Sequence, residues 1–128
     1  MDKGTPIGEV RGLGPAHGGA EHWKLQRMTA LGNLLLGAWF VASILLLPSL
    51  DYTNVRDWLG GVAPASAMIL LIASTFWHAR LGLQVLVEDY VHEDGNKFAA
   101  MVVLNFLAVG GATFGIVCVL KLALGGAA

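Results

Sequence analysis

The side chains that could do chemistry lie close together along this sequence. His78 is followed by Arg80, and Glu88, Asp89, Tyr90 and His92 come soon after. A neutral imidazole can ligate a metal through one ring nitrogen while a hydrogen bond fixes the other. It can also act only as a polar tie between helices. A phenol beside a carboxylate can donate an oriented hydrogen bond and pass protons. The same pair also suits an interfacial tyrosine next to a solvated acidic loop.

These residues must be positioned by apolar helices. The chain has 128 residues, 55% hydrophobic and 13% charged, with a net charge of −1. Soluble domains carry about 25% charged residues, so a free-standing soluble enzyme is excluded as the first reading. With no basic excess to meet phosphates, no nucleic-acid partner is expected. The charges avoid Met28–Leu50, Trp58–Ala79 and Phe98–Leu120 altogether. Each run matches the roughly 20 residues a helix needs to cross a bilayer. The expected fold is an all-α membrane protein, with three transmembrane helices forming part of a heteromeric bundle. Residues 1–24 are expected as an N-terminal cytoplasmic tail, and residues 25–128 as a three-helix anchor. The spans are placed at about 27–49, 60–90 and 97–122.

The first span is too long and starts too late for a secretory signal peptide, and no small-residue cleavage site follows it. Lys3, Arg11, Lys24 and Arg27 precede it, whereas the Asp51–Asp57 loop holds Arg56 against two aspartates. The positive-inside tendency puts the N-terminus in the cytoplasm and, after three spans, the C-terminus outside. The tail around Gly4–Gly19 is Gly-rich and is expected to be irregular or to fold only against a partner. Cys118 has no second cysteine to pair with and reads as a small apolar side chain.

Polar groups inside hydrocarbon are costly unless paired, so those present are informative. The first span holds Asn33 and Ser43, and the third holds Asn105 and Thr113. The second is richest, with Ser66, Ser74, Thr75, His78, Arg80 and Gln84. If Tyr90 marks the interface, His78 lies about 18 Å deeper at 1.5 Å per residue, near mid-membrane. Ser74 and Gly82, one turn either way, share its face and leave a shallow slot. The slot suits a flat macrocycle or a closely packed helix. Haem with two axial protein ligands needs a second residue, and no other histidine lies within a span. Arg80 is rotated about 200° from His78 and must pair with an acid, carbonyl or propionate, or snorkel. Gly111 and Gly115 form a small-xxx-small pair, and Asn105 is expected to hydrogen-bond a neighbouring helix.

The stretch from His78 to His92 resembles the second transmembrane helix of the succinate dehydrogenase hydrophobic membrane anchor subunits. The shared pattern is the histidine, Gly82 four residues on, and the Asp89–Tyr90 pair. Glu21–Ala30 is similar to the approach to the first helix in bacterial, alphaproteobacterium-like members, and the likeness extends from Gly12 to about Leu124. The resemblance implies that His78 is one axial ligand of haem b, shared with a cytochrome b membrane subunit. It implies that Tyr90, with Asp89, binds ubiquinone near the cytoplasmic face, and that Arg27 lies near the haem propionates. It gives Arg80 and His22 no role. Flavoprotein and iron–sulfur subunits are the further implied partners, passing electrons from succinate to ubiquinone at a bacterial inner membrane. This chain would take part in the enzyme only as one subunit. A fumarate reductase anchor and a cofactor-free structural or assembly membrane protein remain as alternatives. The absence of an inverted repeat argues against a transporter half.

Overall fold

A computed structural model describes residues 17–125, with side chains from 19 on. Among these the fold is helical throughout. The helices are α1 (His17–Leu46), α2 (Tyr52–Leu59), α3 (Val62–Tyr90) and α4 (Asp94–Ala123). Three of them, α1, α3 and α4, are long and apolar enough to cross a membrane.

Two boundaries differ from the sequence expectation. Residues 17–24, expected as tail, are the first two turns of α1. The reason lies in composition. Glu21, Lys24, Leu25, Gln26, Arg27 and Met28 are good helix formers, so the helix continues past the point where apolar residues end. At its other end α1 stops at Leu46, just short of Pro48, because the residue before a proline is pushed out of helical geometry. Residues 1–16, including most of the expected tail, lie outside the described residues.

The second difference is α2, expected only as loop. It is a short helix after the Asp51 N-cap position, ending at Gly60. It is anchored rather than spanning: Leu59 is buried, and Trp58 stacks on Trp39 of α1 with ring centroids 5.7 Å apart. Phe40 lies against the same ring. The aromatic cluster fixes the α1–α3 connection where the polar residues Asp51 to Asp57 cannot enter lipid.

α3 is the middle helix. It packs against both α1 and α4, which do not meet each other within the described residues. Both pairings are antiparallel, as the short connections require. The α3–α4 seam is built by shape. A Cβ on Gly111 would intrude on the Phe76 ring, and one on Gly115 would press against Ile72 at 3.1 Å. The expected small-xxx-small pair thus admits large side chains of α3 close to the α4 backbone. Only Leu59, Leu81, Ala108 and Val119 are buried among the described residues, while large apolar side chains cover the outside of all three long helices. A chain in water could not leave so much apolar surface uncovered. This is a multi-pass membrane protein.

Candidate functional site

His78 sits near the middle of α3, half-buried and facing α1. Its Nδ1 is 2.9 Å from the hydroxyl oxygen of Thr29 on α1. No hydrogen bond engages its Nε2 among the described residues. One turn earlier, the Ser74 hydroxyl donates to the Thr29 carbonyl oxygen at 3.4 Å. Ser74 also lies against Gly32, where an added Cβ would be 3.5 Å from Oγ. Next to it the Thr75 hydroxyl donates to the Asn33 side-chain oxygen at 3.4 Å. A ladder of polar contacts therefore joins α1 to α3 along this face.

The two halves of the slot flanking His78 differ. The Ser74 half is filled by α1. The Gly82 half opens toward a cleft of 670 Å³ between the start of α1 and the end of α3. His22, Trp23, Gln26, Gly82 and Glu88 line it. A Cβ on Gly82 would meet the Gln26 amide nitrogen at 3.6 Å. Two polar atoms at this end, His22 Nε2 and Gln26 Oε1, are buried without a hydrogen-bond partner among the described residues. Buried polar atoms are rarely left so, and here they cluster at the mouth of the His78 face.

Arg27 is exposed, and its guanidinium lies over the Trp23 ring, 5.1 Å from the centroid. Tyr90 is the last residue of α3 and 77% exposed, and Asp89 is exposed beside it. Glu88 accepts from the Gln84 amide at 2.8 Å, and Lys97 reaches the Glu88 carbonyl at 3.3 Å. Thus the Asp89–Tyr90 pair is exposed at the C-terminal end of the helix that carries His78.

Arg80 points away from His78, toward α4. Its Nε donates to the Asn105 side-chain oxygen, and its guanidinium stacks over Trp77 at 5.0 Å from the centroid. Of the alternatives open to it from the sequence, a carbonyl is the one supplied, and it comes from within the chain. A cation–π contact in a desolvated setting, worth about 2 kcal/mol, helps offset the cost of a charge at depth.

The donor set limits what metal chemistry is available. Among the described residues, no three histidines, cysteines or acids cluster as a metal cage. His78 alone can supply one nitrogen ligand. That suits an iron whose other in-plane ligands belong to a macrocycle, and it does not suit a bare zinc or calcium ion.

A family model described as the succinate dehydrogenase/fumarate reductase transmembrane subunit matches residues 1–112. The chain belongs to this family. It is 36% identical to the succinate dehydrogenase hydrophobic membrane anchor subunit of Rickettsia bellii over 66% of this chain and 68% of that one. It is 30% identical to the succinate dehydrogenase membrane anchor subunit of Reclinomonas americana, over 71% of this chain and 78% of that one. No solved structure matches the chain.

For a member of this transmembrane-subunit family, the structure divides the sequence-derived residues into two groups. Gly82 lines the cleft and His78 lies one turn earlier on the same face of α3, while Arg27 belongs to the same turn of α1 as Gln26, which lines it. Asp89 and Tyr90 stand apart at the end of α3. Thr29 and Gln26 were not anticipated as site residues. Thr29 carries a weak signal: a hydroxyl in the first apolar turn after Arg27. Gln26 carries none beyond its polarity, because only the register of α1 on α3 brings it to Gly82.

Proposed function

We propose that this chain is the membrane anchor of a succinate:ubiquinone oxidoreductase in a bacterial inner membrane. Its N-terminus would be cytoplasmic and its C-terminus periplasmic. His78 carries the reading: a half-buried imidazole at mid-helix, with Nδ1 engaged and no hydrogen bond to Nε2 among the described residues, in a chain of this family. Nε2 would hold the iron of haem b. A second ligand would come from a cytochrome b membrane subunit, since no other histidine of this sequence lies within an expected span. Haem b, when bound, supplies a one-electron site within the membrane. Arg27, close to the cleft mouth, would offset the charge of the propionates.

Tyr90 and Asp89 have a separate task. The Tyr90 phenol would donate a hydrogen bond to a ubiquinone carbonyl, holding the ring as negative charge develops on that oxygen. Asp89 would orient the phenol and, with the exposed Glu88, connect the site to water, from which quinol formation draws its protons. Electrons would arrive from succinate through the flavoprotein and iron–sulfur subunits. The protein would position and tune the redox groups rather than perform the chemistry itself. The names of the relatives favour succinate oxidation over fumarate reduction.

The intact complex, purified from membranes, tests this reading. Three further subunits and a haem b absorption band are expected. His78→Ala should abolish the band or change its position and midpoint potential; an unaltered spectrum and potential would refute the ligand assignment. Tyr90→Phe should slow quinone reduction about 100-fold, with succinate oxidation by an artificial acceptor unchanged. Full quinone reduction in that variant would remove Tyr90 from the site.

A further inference from the structure

We infer that Thr29 is a positioning residue that sets the tautomer and orientation of His78, leaving Nε2 as the nitrogen able to bind iron. The inference rests on the reading of His78 as the haem ligand and extends it to a residue on a different helix.

The argument counts protons. A threonine hydroxyl has one hydrogen to donate and lone pairs with which to accept. Thr29 Oγ1 lies 2.8 Å from the Leu25 carbonyl oxygen and 3.1 Å from that of Gln26. Both carbonyls can only accept, so the single hydroxyl proton is directed at them. Such back-bonding to the preceding turn is one of the two common states of a helical threonine. Yet Oγ1 is also 2.9 Å from His78 Nδ1. With the hydroxyl proton already committed, this contact needs its hydrogen from the ring. Nδ1 therefore carries the proton, and the neutral imidazole keeps its lone pair on Nε2.

The alternative is costly. If Nε2 carried the proton, Nδ1 would have to accept from Thr29. The hydroxyl would then turn away from the two carbonyls of its own preceding turn, giving up two contacts for one, although both carbonyls keep their helical N–H donors. The anchoring atom is also well held. The Thr29 backbone carbonyl accepts from Ser74, one turn before His78 on the same face. Thr29 thus grips α3 at two successive turns, through its main chain and its side chain. Partners of the distal nitrogen fix the ring of a metal-bound histidine and raise its basicity, and losing one typically weakens metal binding 10- to 100-fold. This partner is polarised in turn, because its own hydrogen is donated to a carbonyl.

The test compares three variants in the purified complex: Thr29→Val, Thr29→Ser and His78→Ala. Valine keeps the shape and removes the oxygen, whereas serine keeps the oxygen. The readouts are the haem b midpoint potential and the haem retained against an excess of a haem-scavenging apoprotein. Thr29→Val is expected to raise the midpoint, because the ligand donates less electron density, and to weaken haem retention roughly 10-fold. Thr29→Ser is expected to restore both toward wild type. If Thr29→Val leaves potential and retention unchanged while His78→Ala alters them, the positioning role is wrong and the ligand assignment stands. If His78→Ala alters neither, the ligand reading itself fails. If Thr29→Ser is impaired as much as Thr29→Val, the hydroxyl does not carry the effect and the proton argument is overturned.

Discussion

The two sides of α3 are built on opposite principles. Toward α1, contacts are polar: His78 with Thr29, Ser74 with the Thr29 carbonyl, and Thr75 with Asn33. Toward α4, contacts are mostly steric: Phe76 over Gly111 and Ile72 against Gly115. In lipid no hydrophobic force drives helices together, so each seam needs another reason to form. Hydrogen bonds need direction and fix a ring nitrogen in place. Close packing over glycine needs only shape and holds a helix without fixing its chemistry. One helix uses the first on the face that carries the candidate ligand and the second on the face that does not.

The steric seam should be the easier to break. Gly111→Leu would drive a branched side chain into the Phe76 ring. It should destabilise the α3–α4 pair by about 1–3 kcal/mol, the range for overpacking a filled core. Thermal unfolding of the purified complex would read this as a lower transition temperature, and no change would mean the seam is looser than it is drawn. The exception on that side is Arg80 with Asn105. Asn105→Leu removes the partner and leaves the guanidinium partly unpaired, at about 1–3 kcal/mol. The smallest effect is expected from changing both together, Arg80→Met with Asn105→Leu. Replacing both partners by apolar groups is close to neutral, within about 1 kcal/mol. If the double variant is as unstable as the single one, the pair does more than satisfy itself.

Much of this division was legible in the sequence, and the reasons are physical. The spans announced themselves by excluding charge, because lipid penalises charge wherever a helix crosses it. Charge marks the membrane edge, however, and not the helix edge, which is why α1 begins at His17 rather than near residue 27. The helix α2 was hidden because eight residues carry too little pattern, and it is tertiary contact through Trp58 and Leu59 that holds them. His78 stood out because a histidine at mid-membrane is rare. Its partner did not, since Thr29 is 49 positions away and a threonine near a helix start is ordinary. Arg80 could be predicted to need a polar partner or a route to the headgroups, but only the register of α4 on α3 selects Asn105. Single residues reported what they must have, and the antiparallel register supplied it.

The central place of α3 has a consequence for how the subunit comes into being. α1 emerges from the ribosome before the other long helices and has only the Trp58 stack of the short α2 as a described partner until the second long helix follows it. α4 arrives last and adds nothing that α1 can lean on. The finished trio is a row rather than a closed cylinder, and few of its side chains are enclosed. Most of the grip that would normally make such a chain durable must then be lent by its neighbours. Synthesis in step with those neighbours matters for this subunit in a way it does not for a self-sufficient bundle, because a copy made in excess has little of its own to hold it together.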